Sequence, residues 1–212
     1  MTGYTLEDYM EFVDEYGEYY HDGNGVRYVL NSDEIREFMG STALFIGLRH
    51  RGPYNNMVVD LVEDDNGERL AYERIIPSNK GSAVIVCMYD GKYLLLEQRR
   101  HIVGCMQLSF PRGFGEKGLE PDDNAKAEIR QEVGAAVREM ARIGSVYPDS
   151  GLTSNRIDVF EATLDSIDVQ IGHEGIMGYR LVSREEIERL IADNTISDGI
   201  TLAAYTIHSS RR

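Results

Sequence analysis

The chain has 212 residues and a formal net charge of −14, from 22 basic and 36 acidic residues, which fits one domain or one domain with an appendage. This charge repels nucleic acid and anionic membranes, so neither is expected as a partner. No apolar run reaches the roughly 18 residues of a membrane span, and the first residues do not have the pattern of a secretory signal. Two cysteines, Cys87 and Cys105, are too few for a disulfide framework, so the expected location is the reducing cytoplasm.

The first 41 residues, rich in Tyr, Glu and Asp, predict a helical appendage. Thr5 and Asp8 have the spacing of a capping box, and the apolar residues that follow have helical spacing. A second helix is expected to begin near Asn31, because Glu34 follows three residues later. We expect the appendage to pack on the main domain or on a partner subunit.

Beyond the appendage the apolar spacing changes to that of strands. Residues 57–63 and 68–76 are expected to pair through the turn Asp64–Gly67, which is a strong hairpin signal. Residues 82–89 and 92–97 predict a second pair. The nearly continuous apolar runs of this second pair are typical of strands covered on both faces.

The last third of the chain predicts two more strands and two helices. The strands are expected near 156–164 and 176–182, and the helices near 183–192 and 198–208. The predicted fold class is therefore α/β (α+β), a mixed β-sheet flanked by helices.

The predicted domain organisation has two parts. Residues 1–41 form the helical N-terminal appendage, and residues 42–212 form the main domain. Within the main domain, residues 42–80 supply N-terminal strands with a β-hairpin, and residues 81–212 form the core of the fold.

A glycine-rich loop and a helix follow in the stretch GFGEKGLEPDDNAKAEIRQEVG, from Gly113 to Gly134. Pro121 suits the first helical position, and Gly134 suits the position just after the end. Glu128, Gln131 and Glu132 share one face of such a helix. Two carboxylates on one face favour a hard divalent cation, Mg²⁺ above all, although such pairs are also common on ordinary solvated helices.

The same stretch resembles the Nudix box, G-x5-E-x7-R-E-U-x-E-E-x-G-U, in which U is a bulky aliphatic residue. Five positions match: Gly113, Glu128, Ile129, Glu132 and Gly134. Four positions depart from it: Leu119, Ala127, Gln131 and Ala135.

Over roughly residues 42–208 the chain is similar to the ADP-ribose pyrophosphatase branch of the Nudix superfamily. The segments that carry this resemblance are LLLEQRRHIVG, SFPRGF, YPDSGLTSN, GHEGI and ISDGITLAAY. The resemblance implies a Nudix-type mixed sheet and metal-dependent hydrolysis of a nucleoside diphosphate linked to another group, such as ADP-ribose or a related sugar nucleotide. It also implies Mg²⁺, with Mn²⁺ as an alternative, and a homodimer.

The resemblance also assigns roles to individual residues. It implies that Glu128 and Glu132 bind the metal, helped by the backbone carbonyl of Arg112, with Gln131 and Glu174 as further candidate ligands. It places Arg100 at a phosphate-binding position. Arg99 is a second candidate there, or else a solvated residue at the end of a strand. Because an amide cannot accept a proton, Gln131 cannot be the general base, and Glu174 is the candidate for that role.

The departures from the box leave two hypotheses open. Leu119 and Ala127 replace an acid and an arginine that pair in the family, and an exchange of both for apolar residues need not cost stability. Without the paired acid and arginine, the side chains of Glu116 and Glu120 are candidates to brace the glycine-rich loop. Acids are also absent at Ser109, Gln131 and Asn155, which favours a catalytically impaired module that binds or senses a nucleotide. The retained residues favour an enzyme: Glu128, Glu132, Arg100 and Glu174.

Overall fold

A computed structural model describes residues 3–211, so Met1, Thr2 and Arg212, at the ends of the predicted domains, lie outside the described residues. The described chain forms two compact units. The first contains the residues up to Ser78 together with Asp149–Asn155, and the second contains Asn79–Pro148 together with the residues from Arg156 onward. The units do not divide at the predicted position, after residue 41, because the two N-terminal helices share one hydrophobic core with the strands that follow them.

The first unit contains two helices and a small antiparallel sheet. The helices are α1 (Leu6–Glu15) and α2 (Ser32–Thr42), and the strands are β1 (Val26–Tyr28), β2 (Gly47–Arg51), β3 (Asn55–Asp64) and β4 (Arg69–Pro77). Strand β3 pairs with each of the other three strands. The predicted capping box of Thr5 and the predicted cap at Asn31 are both present, as is the hairpin turn after Asp64.

A buried ion pair lies within the first unit. The Arg74 Nε donates to Asp60 Oδ2 at 2.5 Å, and the two residues are 8% and 1% exposed. The Tyr9 hydroxyl donates to Asp60 Oδ1 at 2.7 Å, and Arg74 Nη1 donates to the Tyr19 carbonyl at 3.0 Å. The guanidinium also lies 4.7 Å from the centre of the Tyr20 ring. Both charges are therefore paired inside the core.

Removing one partner of this pair should destabilise the protein strongly. We expect Arg74→Ala to lower the free energy of unfolding by about 3–5 kcal/mol, because Asp60 would stay buried without its cation. Arg36→Ala is the matched control. It removes an exposed arginine paired with Glu7 and Asp33 and should cost no more than about 1 kcal/mol. Chemical denaturation measures both, and equal losses would contradict the assignment.

The second unit contains the remaining elements. The strands are β5 (Ala83–Tyr89), β6 (Lys92–Arg100), β7 (Cys105–Ser109), β8 (Arg112–Gly113), β9 (Val137–Val146), β10 (Ile157–Leu164) and β11 (Ile176–Val182), and the helices are α3 (Pro121–Glu128), α4 (Arg184–Ala192) and α5 (Gly199–Ser209). The sheet has the order β11-β6-β5-β10-β9, with β7 paired to β6 and β8 paired to β5. Strands β5 and β10 run parallel and the other pairs are antiparallel, so the sheet is mixed.

Helices cover both faces of the mixed sheet. On one face, Val84 of β5 belongs to a core cluster with Ile187 and Ala204, from α4 and α5. On the other face, Ile85 belongs to a cluster with Ala125 of α3. The predicted fold class, a mixed sheet flanked by helices, is therefore confirmed. Among the described residues, no helix has the length and apolar character needed to cross a membrane.

Candidate active site

The predicted acidic helix forms, but its last turn is wider than that of an α-helix. Helix α3 begins at Pro121 and continues from Ile129 to Val133 as a π-helical segment. Ile129 and Val133 are fully buried, and Gly134 ends the helix with a φ of 59°, in the left-handed region. Short π-helical segments are rare and frequently occur at functional sites.

The π-helical segment separates the three predicted ligands. Glu128 and Glu132 are buried, at 8% and 2% exposure, whereas Gln131 is exposed. Because a π turn holds more residues than an α turn, the third residue after Glu128 rotates away from the face that the fourth residue shares. The structure therefore buries the two acids, whereas the side chain of Gln131, the third predicted ligand, is exposed to solvent.

Glu128 packs directly on the backbone of Gly113. A Cβ atom at Gly113 would lie 1.8 Å from Glu128 Oε1 and 2.5 Å from Oε2, far inside contact distance. Strand β8 must therefore carry glycine at this position for the carboxylate to keep its place. This contact joins the glycine at the start of the stretch to Glu128, the last residue of α3.

Glu132 is fixed by the residue beside that glycine. The backbone N–H of Arg112 donates to Glu132 Oε2 at 3.0 Å. The guanidinium of Arg112 pairs with Asp198, with Nη1–Oδ1 and Nη2–Oδ2 distances of 2.9 Å each. Arg112 thus reaches the acids through its backbone, while its side-chain charge is neutralised elsewhere.

The two carboxyl groups have unusual acidity. Burial raises the pKa of Glu128 to about 7, and the negative charges of Glu174 and Glu116 add to this shift. Burial also raises the pKa of Glu132 to about 8, with a further contribution from Glu128, while the hydrogen bond from Arg112 opposes it. Two buried carboxylates without a cation are unfavourable, and a divalent cation between them would relieve this.

Arg100, the last residue of β6, lies close enough to Glu132 for the two charges to interact. It is partly buried, and its Nε has no hydrogen-bond partner within residues 3–211. Burial lowers its pKa, as does the charge of Arg112, whereas Asp198 and Glu132 raise it. Arg99 is exposed and points to the opposite face, because side chains alternate along β6. The two predicted substrate-binding arginines are therefore not brought together.

Glu174 lies in the loop before β11. Its side chain is exposed, and its backbone has a φ of 45°, which is uncommon for a residue other than glycine. The buried side chain of Gln98 donates from Nε2 to the Glu174 carbonyl at 2.9 Å, which connects this loop to the strand that carries Arg100. Sequence reasoning missed this role of Gln98.

The glycine-rich loop is braced by Asn124, a residue that sequence reasoning also missed. Asn124 is fully buried, and its Nδ2 donates to the carbonyls of Gly81 and Phe114 at 2.9 and 3.1 Å. Its Oδ1 accepts the backbone N–H of Glu116 at 3.3 Å. An asparagine inside a helix is disfavoured unless its side chain has such partners, and this was the available signal.

The apolar residues Leu119 and Ala127, which depart from the box, do not form a buried pair. Leu119 is 38% exposed, whereas Ala127 is buried. Asn124 braces the loop instead.

The side chains offer an incomplete metal site. Within residues 3–211, no three His, Cys, Asp or Glu side chains converge in a way that could hold a metal ion. Mg²⁺ commonly keeps several waters and is bound by one or two carboxylates together with substrate phosphates. The oxygen chemistry of Glu128 and Glu132, and the close backbone at Gly113, fit this type of site.

Comparisons with known proteins identify the family of the chain. A sequence model of the NUDIX domain matches residues 79–204, more than half of the chain. An ADP-ribose pyrophosphatase of Bacillus subtilis (strain 168) is 25% identical over 162 residues, which cover 73% of this chain and 85% of that protein. An ADP-ribose pyrophosphatase of Haemophilus influenzae is 28% identical over 142 residues, which cover 58% of this chain and 64% of that protein.

Two further similarities involve ADP compounds hydrolases. The one named NudE, from Escherichia coli (strain K12), is 28% identical over 106 residues, which cover 49% of this chain and 55% of that protein. A crystal structure of an ADP compounds hydrolase matches with a TM-score of 0.69 at 18% identity, covering 79% of this chain and 91% of that one. This last similarity supports the fold.

Proposed function

The chain belongs to the NUDIX family, and we propose that it hydrolyses a nucleoside diphosphate linked to a second group, with ADP-ribose or a related sugar nucleotide as substrate. The observation that carries this proposal is the pair of buried carboxylates, Glu128 and Glu132, packed against the backbone of Gly113 and Arg112. The names of the relatives, hydrolases of ADP-ribose or ADP compounds, support the choice of substrate.

Glu128, Glu132 and the backbone carbonyl of Arg112 are the proposed ligands of a divalent ion, Mg²⁺ or Mn²⁺. Such an ion, when bound, neutralises diphosphate charge and lowers the pKa of a coordinated water. The backbone contacts of Gly113 and Arg112 hold the two carboxylates in place before the ion arrives. Gln131 is left out of the ligand set because its side chain is exposed.

Arg100 is the proposed phosphate-binding residue. A chain with a net charge of −14 repels a diphosphate unless the site supplies local positive charge. The charge of Arg112 is already paired with Asp198, whereas Arg100 Nε has no partner among the described residues. Arg100 can therefore bind an oxygen of the substrate diphosphate. Arg99, which is exposed on the other face, is not expected to bind the same group.

Glu174 is the proposed general base. Its carboxylate accepts a proton from the attacking water, and the water oxygen bonds to one phosphorus as the bridging P–O bond breaks. The products from ADP-ribose are AMP and ribose 5-phosphate. The contact of Gln98 with the Glu174 backbone orients this loop. The negative charge of Glu174 also contributes to the raised pKa of both buried acids.

A nucleotide-binding module without turnover is the second candidate. It is favoured by the exposed amide of Gln131 where the box has an acid, and by the lack of a three-acid metal cluster within residues 3–211. Such a module would bind ADP-ribose with metal but release no product.

One experiment separates the two candidates. The protein is incubated with ADP-ribose and related sugar nucleotides in the presence of Mg²⁺ or Mn²⁺, and AMP release is measured, with EDTA as the control. We expect metal-dependent release of AMP. Binding of ADP-ribose in calorimetry without any AMP would favour the second candidate.

A homodimer, implied by the family resemblance, and a cytoplasmic location, expected from the small number of cysteines, are also part of the proposal. Light scattering of the purified protein measures the first, and fractionation of the producing cells measures the second. A monomer at all concentrations tested would remove the dimer from the proposal without affecting the carboxylate pair.

The acidity of the two carboxyl groups predicts how the metal effect depends on pH. The pKa values in the folded state, about 7 for Glu128 and about 8 for Glu132, lie above the ordinary value of 4.5. Between the ordinary value and the folded values, the folded state therefore retains protons that the unfolded chain has lost. The metal-free protein should therefore lose stability as pH rises through this window. The ion binds the deprotonated pair, so stabilisation by Mg²⁺ should grow with pH.

Calorimetric melting at about pH 6 and about pH 8.5, with and without Mg²⁺, measures this dependence. The Mg²⁺-induced rise in Tm should be larger at the higher pH. The double variant Glu128→Gln/Glu132→Gln is the control and should show no such rise. A larger effect at the lower pH would contradict the prediction.

A further inference from the structure

The first turn of α5 contacts the segment Phe110–Arg112, which leads directly to the backbone that contacts Glu128 and Glu132. Asp198 is the N-cap of α5 and accepts the Thr201 backbone N–H at 2.8 Å and its hydroxyl at 2.7 Å. Thr201 Oγ1 in turn accepts the backbone N–H of Phe110 at 3.2 Å. With the Arg112–Asp198 pair, these contacts fix both ends of Phe110–Arg112. We call this set of four residues the α5 clamp: Phe110, Arg112, Asp198 and Thr201.

The α5 clamp is well shielded from solvent. Thr201 is fully buried, and the side chains of Arg112 and Asp198 are 18% and 13% exposed. Two parallel charge-assisted hydrogen bonds between a guanidinium and a carboxylate form the most directional pairing that these groups make. The position of Arg112 is therefore set by α5 as well as by its pairing with β5.

The other side of the same segment faces the acids. The Arg112 backbone N–H holds Glu132, and the next residue, Gly113, is in contact with the Glu128 carboxylate. A small rotation of the backbone at Arg112 would therefore move both acids together. The four clamp residues form one continuous series of contacts that runs from the first turn of α5 to the two carboxylates.

We propose that Asp198 is a positioning residue of the carboxylate pair, acting through Arg112. Its effect on turnover depends on the proposed function, whereas its effect on metal binding can be measured without any substrate. Replacement of a residue that orients metal ligands typically weakens metal affinity or activity by about 10–100-fold. We expect Asp198→Asn to weaken Mn²⁺ binding within this range.

Asp198→Asn separates positioning from helix capping. Asparagine caps helices about as well as aspartate, so α5 should keep its cap. The amide NH₂, however, cannot accept the hydrogen bond from Arg112 Nη2, so the two-bond pairing is lost. Ser183→Ala is the matched control, because Ser183 caps a different helix, α4, through Glu186. It should lower Tm and leave Mn²⁺ affinity unchanged.

The experiment measures Mn²⁺ dissociation constants by calorimetry for the wild type, Asp198→Asn, Ser183→Ala, Arg112→Lys and the double variant Arg112→Lys/Asp198→Asn. We expect each clamp variant to bind Mn²⁺ about 10–100-fold more weakly. Both changes break the same pair. The double variant should therefore lose no more Mn²⁺ affinity than the single variant with the larger loss. If Asp198→Asn does not fold, Arg112→Lys alone gives the test.

The outcomes distinguish this inference from the proposed function. Unchanged Mn²⁺ affinity in the folded clamp variants would overturn the positioning role alone. Mn²⁺ binding by a wild type that releases no AMP from any sugar nucleotide would overturn the proposed function alone. A wild type that does not bind Mn²⁺ would overturn both. Where turnover is present, Asp198→Asn should raise the Mn²⁺ concentration needed for activity more than the KM for ADP-ribose.

Discussion

Replacing Glu132 with Gln should lower the rate of ADP-ribose hydrolysis by about 10²–10³-fold, the range seen when one electrostatic stabilising group is removed from an active site. The amide is nearly isosteric and keeps an oxygen for the Arg112 N–H, so the fold should be retained. It removes one of the two buried charges that would hold the cation. Glu128→Gln should have a similar effect. Initial rates at several Mg²⁺ concentrations measure both.

Gln131 supplies the matched control for these two variants. It lies on the same helix but its side chain is exposed, so Gln131→Ala should change the rate by less than about threefold. Restoring the acid of the box with Gln131→Glu should likewise have little effect, because the wider turn keeps this position away from the pair. A large gain from Gln131→Glu would indicate that the native site is impaired and would favour the second candidate function.

Gly113→Ala should also reduce activity strongly, by about 10–100-fold, with a matching loss of metal affinity. The added methyl group would occupy the place of the Glu128 carboxylate, at 1.8 Å from Oε1. The displaced atoms are the end of a flexible side chain, so the carboxylate should move while the fold persists. Mn²⁺ calorimetry and rate measurements on one preparation test both effects.

Gly40→Ala is the control for that substitution. Gly40 lies within α2, and a Cβ atom there meets no atom within 4 Å. Alanine should raise stability slightly, by up to about 1 kcal/mol, because it favours a helix more than glycine does. Activity should not change. If Gly113→Ala kept wild-type metal affinity, the close contact would have no role in holding Glu128.

Local patterns in the sequence predicted most of the fold. The capping residues Thr5 and Asn31, the turn after Asp64 and the apolar runs of β5 and β6 each occur where expected. Strand β9 (Val137–Val146) was not predicted, because VREMARIGSV has no regular alternation and carries three charged residues. It lies at the end of the strand order, where pairing with β10 rather than its own apolar pattern defines it.

The candidate site was also predictable only in part, because some of its features depend on contacts that local sequence patterns do not reveal. Pro121, Gly134 and the spacing of Glu128 and Glu132 are local features, and they located the helix and its buried acids. The π-helical turn that moves Gln131 outward is not visible in residue spacing. Asn124 and Asp198 depend on partners 43 and 86 residues away in the chain, which no local pattern connects.

The most direct test of the central claim is a crystal structure of the protein with Mn²⁺ and ADP-ribose, recorded with anomalous scattering. The claim is that Glu128 and Glu132 together bind a divalent ion beside a diphosphate. The predicted result is an anomalous peak within coordination distance of both carboxylates, with the diphosphate between the ion and Arg100. A nucleotide bound elsewhere, with both carboxyl groups free of metal, would contradict it.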